Sequence, residues 1–355
     1  MATLNDLRGA RRQASRVRRE VMDPRPSSSE PRDVQAELPA VRTSLSRVGL
    51  TGVEKVIQIG VDRGSPQLFS ARLDCFVELG PTRRGAHMSR FEEVINDAVG
   101  ELVFDDVGTR AERLAREVAE RVRERQHARR AEVTITARFP ERRPAPVSGT
   151  PTQEISTLHA RAVASERGTR WMLGVSAQGM TTSPYAQAVL LARARERLAA
   201  DGFSEAQIAR VVDTVPVATH SQLGVGTLHL GCPAGWALEF DVAVLLDIVE
   251  GAMPSEIFEL LKRSDEAAVV ERAHRRPRFV EDSVRAMIAG VVERFPAAPD
   301  EVFVAAAQEN IETIHRHNVT AERAGSLGEL RSELTAGESV TRQTSMREWL
   351  EANDC

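Results

Sequence analysis

Carboxylates and imidazoles recur among apolar residues in one segment of the chain, which runs from Lys262 to His317. Side chains of these two kinds can together coordinate a divalent metal ion, and they can also exchange protons with a substrate. The acids and histidines of this segment are Glu266, Glu281, Asp282, Glu312, His315 and His317. Their types and their setting predict either a metal site or a site of acid–base chemistry.

The acids of the segment also have ordinary structural explanations. Asp265 and Glu266 stand near the predicted start of a helix, where a carboxylate caps the chain or favours the helix dipole. Glu281 and Asp282 fall in the first turn of the next predicted helix. Arg285 follows Glu281 by four residues and is placed to form a surface salt bridge with it. Taken one at a time, these acids do not require a functional role.

The histidines are equally unspecific when each is taken alone. On a predicted strand, His315 and His317 are two residues apart and point to one face, whereas Glu312 points to the other. His220 lies in a polar turn before a strand. His87 lies just before a helix N-terminus, where anions bind. A site is predicted only if these residues meet in the folded chain.

The composition of the 355 residues limits the classes of function. A net charge of −4 argues against nucleic acid as the main partner, because phosphate binding needs a concentrated basic surface. No apolar run is long enough to span a membrane, and the arginine-rich N-terminus does not resemble a secretory signal. Three cysteines without CxxC spacing argue against a disulfide framework. We therefore expect a soluble cytoplasmic protein without a membrane or nucleic-acid partner.

The hydrophobic pattern divides the chain into two halves. In the first, two alternating strands, two helices and strands at 131–139 and 169–180 give the order β-β-α-α-β-β, with a proline-rich break at 140–151. The second half is less regular. It fits a second, decorated unit of the same order that closes with strands at 301–308 and 310–319. This order predicts an α+β fold.

Polar tails flank the two halves. Residues 1–32 are rich in arginine, serine and proline and are predicted to form a disordered basic tail. Residues 324–355 form a second polar tail, in which a short docking helix is expected around Trp349 and Leu350.

Several short motifs, taken together in their order, are specific. They are DVQ (33–35), SLSRVGLTGV (44–53), RGAHMSRFEE (84–93), GMTTSPYAQ (179–187), THSQLG (219–224), KRSDE (262–266), RFVEDSVR (278–285) and ENIETIHRHNVTAER (309–323). Over residues 33–323 the chain resembles the GTP cyclohydrolases of type IB and their archaeal, methanopterin-pathway relatives. The resemblance implies a tunnelling fold of two tandem β-β-α-α-β-β modules, residues 33–180 and 181–323. It also implies a homotetramer or homodimer with active sites between subunits.

The resemblance further implies a chemistry and a set of residues that carry it. Such enzymes open the imidazole ring of GTP and expel C8 as formate, giving a dihydroneopterin-type or a formamidopyrimidine product. The implied metal ligands are His220, Glu266 and His315, with the metal activating the attacking water. Glu281 is implied to anchor the guanine edge, because a carboxylate matches its paired N–H donors. On the substrate side, the implied groups are His87, Ser89 and Arg90.

One motif departs from the family pattern. The family has Cys-Pro-Cys where this chain reads Ser183-Pro184-Tyr185, and the first of those cysteines is a metal ligand. Without a thiolate, two imidazoles and one carboxylate suit Fe(II) or Mn(II) better than Zn(II). Three explanations are open: Ser183 or water fills the position in a working enzyme, Cys232 supplies a thiolate, or the chain is a degenerate paralogue that only binds a purine or pterin nucleotide. Retention of the other motifs favours the first, with Ser183 and His220 as the catalytic pair.

Overall fold

The computed structural model describes residues 33–59, 67–101, 110–337 and 343–351. The strands are β1 Leu45–Ile59, β2 Gln67–Leu79, β3 Arg130–Pro144, β4 Pro151–Ser165, β5 Gly168–Thr182, β6 Ser221–Cys232, β7 Ser255–Glu256, β8 Phe303–Ile311 and β9 Val319–Ser326. The helices are α1 Met88–Val99, α2 Ala111–Arg125, α3 Pro184–Ala200, α4 Glu205–Thr214, α5 Val242–Ala252, α6 Arg263–Arg275, α7 Val280–Arg294, α8 Leu327–Ala336 and α9 Met346–Glu351. The tail predicted at 1–32 lies outside the described residues.

All nine strands of the described residues join one antiparallel sheet, in the order β1-β2-β3-β4-β5-β6-β8-β9, with the short β7 paired to β5. The expected fold class, a tunnelling fold of two tandem modules, is therefore wrong. Strands β4 and β5 are linked by only two residues and pair from Thr157↔Ser176 to Ser165↔Gly168, so hydrogen bonding continues across the middle of the chain. The expected module boundary, at residues 180 and 181, falls inside β5.

The proline-rich segment is not a break but part of a hairpin. β3 continues through Pro140 to Pro144, and β4, which the sequence pattern did not reveal, begins at Pro151. Prolines are tolerated here because β2 pairs with β3 only as far as Ala137, so the rest of β3 has one neighbour. A residue without an N–H can then face the unpaired side.

The large helices α1, α2, α5 and α7 pack on one face of the sheet, whereas α3, the longest helix described, has no buried residue. In α2, Leu114, Val118 and Val122 lie four residues apart and are fully buried, as the sequence predicted. Helices α1 and α2 cover the part of the sheet near β1 to β5, and α5 and α7 cover β5, β6, β8 and β9. No helix in the described ranges is both long and apolar enough to cross a membrane.

The short docking helix expected near the C-terminus is present as α9. Trp349 and Leu350 are buried, and the Trp349 ring stacks on Phe303 with centroids 5.3 Å apart. The Trp349 indole N–H donates to the Glu301 carbonyl at 3.1 Å. A side chain at Gly231 would meet Trp349, whereas one at Gly226 would meet Val249 of α5. Side chains alternate along β6, so α9 lies on the sheet face opposite the large helices.

The closing strand predicted at 310–319 is wrong in its middle. β8 ends at Ile311, residues 312–318 form an irregular loop, and β9 begins at Val319. Side-chain hydrogen bonds, rather than backbone strand pairing, fix this loop. Thr313 Oγ1 donates to the Ser221 carbonyl at 3.0 Å, and Asn318 Nδ2 donates to Glu309 Oε1 at 2.8 Å. The strand geometry expected for His315 and His317 therefore does not apply.

Candidate active site

Ser183 and His220 are brought together by the pairing of β5 with β6. Thr182↔Ser221 is the last pair of this ladder, so Ser183 and His220 are the next residues out on the two chains. The Thr219 hydroxyl donates to the Ser183 carbonyl at 3.1 Å. Ser183 is also the N-cap of α3, where its Oγ accepts from the Ala186 N–H at 3.5 Å. The serine hydroxyl oxygen is thus partly engaged in starting a helix.

A buried carboxylate stands beside His220. Glu312 Oε2 lies 3.9 Å from His220 Nε2, and the Glu312 side chain is only 6% exposed. Gln222 joins the two, because its Nε2 lies 3.2 Å from His220 Nε2 and donates to Glu312 Oε1. Within the described part of the chain, Oε2 has no hydrogen-bond partner. The sequence placed Glu312 on the face opposite His315 and His317, and Glu312 is buried whereas those two histidines are exposed; its contact with His220 was not predicted.

Buried amides continue this cluster inward. Gln222 Oε1 accepts from Thr181 Oγ1 at 3.3 Å and from Asn310 Nδ2 at 3.5 Å. Gln308 Nε2 in turn donates to Asn310 Oδ1 at 3.1 Å. A Cβ at Gly224 would lie 2.5 Å from Gln308 Nε2, so the glycine makes room for the amide. The result is a polar chain that runs from the core to His220.

Sequence reasoning missed this amide cluster, although two signals were available. Gln308, Asn310 and Glu312 are polar at every second position after a strand that is otherwise apolar on that face. Gly224 and Gly226 likewise alternate on the facing strand, where space is needed. Period-two polarity on a buried face indicates a polar site inside a core.

The three predicted metal ligands do not meet within one chain. Glu266 is exposed in the first turn of α6. The end of α6 that approaches His220 is the other one: His274 Nε2 lies 3.3 Å from the carbonyl oxygen of Thr219, and His274 is about 12 Å from Glu266 along the helix axis. His315 and His317 are exposed in the 312–318 loop, with their rings stacked 5.2 Å apart. Among the described residues, no three His, Cys, Asp or Glu side chains are close enough to hold a metal ion. A single chain therefore does not fit the predicted three-ligand metal site.

Cys232 cannot replace the missing thiolate. It lies at the far end of β6 from Ser221, so about 35 Å of extended strand separates it from His220. The side chain is fully buried, and its Sγ contacts the Trp236 carbonyl at 3.4 Å. Burial raises the pKa of the Cys232 thiol and keeps it protonated.

The neighbouring acid Asp265 serves the structure, as the capping interpretation predicted. Its fully buried carboxylate accepts from the backbone N–H groups of Val147, Ser148 and Lys262 and from the Ser148 hydroxyl, at 2.7–2.9 Å. Burial alone would raise the pKa of Asp265, but the hydrogen bonds outweigh burial and lower it. Asp265 thus fastens the β3–β4 hairpin to α6.

Glu281 occupies the first turn of α7, as predicted, and is exposed. It lines an open groove of about 740 Å³ between α7, β9 and α8, together with Arg285 and Arg323. The predicted Glu281–Arg285 salt bridge is wrong, because Arg285 pairs instead with Asp282 Oδ1 at 3.3 Å. The Glu281 carboxylate therefore faces a groove large enough for part of a ligand.

The substrate-side residues of the first half gather at the start of α1. His87 is the N-cap, and its Nε2 lies 3.0 Å from Asp33 Oδ1, which belongs to the DVQ motif. Its Nδ1 is buried and has no partner among the described residues. Ser89 is exposed, and Arg90 Nη1 donates to the Arg125 carbonyl at 3.4 Å. These side chains form a second polar group around a helix N-terminus.

The two groups lie beside different strands of the sheet. Helix α1 packs beside β1, whereas the cluster around His220 lies on β5, β6 and β8 and Glu281 lies beside β9. Five steps of about 4.8 Å separate β1 from β6, which is about 24 Å along the sheet. The two groups are therefore well separated along the sheet of one chain.

Comparison with known proteins bears on what this arrangement is for. Residues 32–321 match the family described as type I GTP cyclohydrolase folE2. The protein named GTP cyclohydrolase MptA from Methanococcus aeolicus is 37% identical over 308 residues, covering 85% of this chain and 99% of that protein. MptA of Methanothermobacter thermautotrophicus is 37% identical over 306 residues, covering 85% and 95%.

Similarity to solved structures is weaker. Uricase from Arthrobacter globiformis gives a TM-score of 0.48 at 8% identity, over 87% of this chain and 99% of that one. A uricase from Bacillus fastidious gives 0.42 at 10% identity, over 85% and 99%. These values assign no function. The family match spans both polar groups and most of the sheet, and the chain therefore belongs to the type I GTP cyclohydrolase family of enzymes.

Proposed function

We propose that this enzyme hydrolyses GTP at C8 of the guanine ring. One water opens the imidazole ring to a formamidopyrimidine, and a second releases C8 as formate, after which the product can reclose to a dihydroneopterin-type compound. The observation that carries the proposal is the cluster of Ser183, His220, Gln222 and Glu312 at one end of β5, β6 and β8. The MptA relatives, which are named GTP cyclohydrolases, support the choice of substrate.

His220 is proposed to move the protons of the reaction. Water addition at C8 releases a proton, and cleavage of the ring C–N bond requires one at the leaving nitrogen, so a single imidazole can serve both steps. The buried Glu312 carboxylate stabilises the imidazolium that forms between them. Gln222 fixes the distance between the two groups, because it contacts both. Ser183 is proposed to orient the water, since its backbone lies opposite that of His220 just beyond the end of the ladder.

The groups that grip the substrate are proposed to come from two subunits. Glu281 is suited to the N1–H and 2-amino donors of guanine, and Arg90 to a phosphate, with His87 and Ser89 beside it. Because Arg90 lies on the helix beside β1 and His220 directly precedes β6, five strands away in the same sheet, a second copy of the chain is proposed to complete the site. We therefore propose a homodimer or homotetramer with shared active sites.

Mixing two inactive variants tests the shared site. His220→Ala and Arg90→Ala each damage one group, and a mixed oligomer contains some sites in which both groups are intact. Refolding an equal mixture should restore about a quarter of the wild-type formate release if two subunits form each site. No recovery in the mixture, with oligomers verified by native mass spectrometry, would place each site within one chain.

A divalent metal, Fe(II) or Mn(II) rather than Zn(II), is a separate proposal. His220 would hold it together with Glu266 and His315, some of them from a neighbouring subunit, since one chain does not gather the three. In that case His220 would be a ligand, and the neighbouring Glu312 carboxylate rather than His220 would exchange the protons. A bound metal of this kind supplies Lewis acidity to the water that attacks C8. Metal analysis of anaerobically purified oligomer should give one ion per subunit, and Glu266→Gln should lower that content. Full occupancy in Glu266→Gln would remove Glu266 from the ligand set.

The reaction itself is tested with GTP labelled with ¹³C at C8. Anaerobic enzyme with Fe(II) or Mn(II) should give labelled formate by NMR and lose the purine absorbance. The matched control is His220→Ala, which should bind GTP and release no formate. Wild-type protein that binds GTP but gives no formate with either metal would contradict the proposal and indicate a nucleotide-binding protein instead.

A further inference from the structure

The loop that carries His220 has no regular secondary structure of its own. It spans residues 215–220, between the end of α4 and the start of β6, and is called here the His220 loop. An irregular loop can hold a catalytic side chain accurately only if neighbouring elements fix its backbone. The hydrogen bonds of its carbonyl groups show which elements do so.

Side chains of two helices hold the loop and the residues just before it. Gln187 of α3 donates through Nε2 to the Val217 carbonyl at 2.7 Å and to the His274 carbonyl at 2.6 Å. Arg275 of α6 donates to the carbonyls of Asp213 and Thr214 at 2.9 and 3.2 Å. The last turn of α6 and the first turn of α3 are thereby connected through the loop.

His274 makes the contact nearest to the proposed catalytic residues. Its Nε2 lies 3.3 Å from the Thr219 carbonyl, and its Nδ1 lies 2.8 Å from the Val270 carbonyl on its own helix. Both carbonyls accept, so the ring makes both bonds at once only as an imidazolium, which carries an N–H on each nitrogen. The bond from Nδ1 to Val270 then orients the ring, and the bond from Nε2 to Thr219 connects the ring to the loop. Thr219 precedes His220 directly, and its hydroxyl donates to the Ser183 carbonyl. One residue, Thr219, therefore transmits the position of His274 to both His220 and Ser183.

We propose that His274 is a positioning residue for the reaction: its Nε2–H holds Thr219 and thereby sets the placement of His220 beside Ser183. The inference rests on the proposed function, because the residues that it positions are those proposed to carry the chemistry. The competing explanation is an ordinary helix histidine that satisfies the Val270 carbonyl and merely touches the loop.

Two conservative variants separate these explanations. Glutamine places its amide nitrogen near the position of Nε2 and can keep the bond to Thr219, whereas asparagine places it near Nδ1 and keeps only the bond to Val270. We expect His274→Asn to lower kcat by about 10- to 100-fold, since a shift of about 1 Å in a catalytic group has effects of that size. His274→Gln should stay within about threefold of wild type, and the KM for GTP should be nearly constant in both. Equal losses of kcat in Asn and Gln variants would overturn the proposal.

Hydrogen exchange measures the same contact without activity. Peptides that cover the His220 loop should exchange faster in His274→Asn than in wild type, and His274→Gln should restore protection. Arg272→Ala is the matched control, since Arg272 lies on the same turn of α6 and pairs with Glu256 instead of the loop. Unchanged exchange in His274→Asn would also overturn the proposal. If wild-type protein released no formate, the proposed function would be wrong. Hydrogen exchange would still decide, on its own, whether His274 holds the loop.

Discussion

The helix-facing side of the sheet differs between its two parts. In the first part, the side chains that face α1 and α2 are aliphatic: Leu73, Val133, Ile135, Ala137 and Leu158. In the second part, at the end of β5, β6 and β8, the corresponding side chains are polar: Thr181, Gln222, Gln308 and Asn310. Both sets are buried beneath helices of the same layer. The same architecture therefore encloses two chemically different interiors.

The polar interior is costly for the fold. A buried amide without hydrogen bonds costs about 1–3 kcal/mol in proteins, and this cluster is only partly satisfied. Gln308 Oε1 and Glu312 Oε2 have no partner among the described residues. The aliphatic part shows that the sheet can be packed without such a cost. The difference is what we expect if the polar part serves the chemistry proposed at His220 rather than stability.

The largest effect is expected from removing the imidazole at the end of the polar part. His220→Ala should lower kcat for formate release by about 1,000-fold, because it removes the group proposed to give and take the protons. The melting temperature should fall only modestly, since the His220 side chain is 17% exposed and has one side-chain contact of hydrogen-bond length, with Gln222 Nε2. Steady-state kinetics and calorimetry measure the two quantities.

A histidine from the first half is the matched control for this change. His127 is exposed and has a positive φ of 49°, which asparagine tolerates well. His127→Asn should retain kcat within about twofold, because surface substitutions that preserve the backbone are close to neutral. Comparable losses of kcat in the two variants would mean that activity does not depend on His220 more than on a surface histidine of the first half.

The next effect concerns stability and compares the two interiors directly. Ile135→Gln places an amide in the aliphatic part and should lower the free energy of unfolding by about 3 kcal/mol, through lost burial and an unsatisfied amide. Gln308→Met makes the opposite change. It removes an unpartnered oxygen but leaves the buried Asn310 Oδ1 without its donor, so the loss of stability should be clearly smaller than in Ile135→Gln. It should nevertheless lower kcat, because Asn310 and then Gln222 lose support. Urea unfolding measures the free energy of unfolding of both variants. Equal losses would mean that the two interiors do not differ in how polar side chains affect stability.

Much of the fold followed from local pattern. The four-residue spacing of Leu114, Val118 and Val122 places the buried face of α2 correctly, because helical periodicity depends on neighbours in sequence. β4 was missed because its boundary prolines resemble a break, although they lie where β3 has a single partner. The continuation of the sheet from β4 to β5 was missed too. It depends on pairing between strands rather than on any residue type.

The structure bears on where the predicted site residues lie and leaves their roles as predictions. Motifs singled out Ser183 and His220, whose backbones adjoin beyond the last pair of β5 and β6, and helix-start chemistry explained Asp265. Glu312 lies away from His315 and His317, as expected, but its contact with His220 was not predicted, because β8 ends at Ile311 and alternation along a strand does not extend to residue 312. The amides were overlooked because glutamine and asparagine are ordinary surface residues until the opposing glycines are known to leave them space.

The smallest effect on activity is expected at Asp265, which belongs to the second half but serves the fold. Its folded pKa is lowered, so its ionised form stabilises the protein above the unfolded value of about 4. That stabilisation is lost as the pH falls from about 4 toward the lower folded pKa. Asp265→Asn should therefore lower the melting temperature at pH 7, and the difference from wild type should shrink as the pH approaches 3.

Ser148→Ala refines the test, because it removes one hydrogen bond from Asp265 and leaves the carboxylate in place. It should lower the melting temperature less than Asp265→Asn and preserve the pH dependence of wild type. The kcat of both variants should be close to that of wild type at temperatures well below melting, since the carboxylate faces the β3–β4 hairpin and not His220. A pH-independent loss of melting temperature in Asp265→Asn would mean that shape rather than charge fastens the hairpin. Asp265 would then be a polar residue of the second half whose size matters, in contrast to those whose charge is proposed to serve the chemistry.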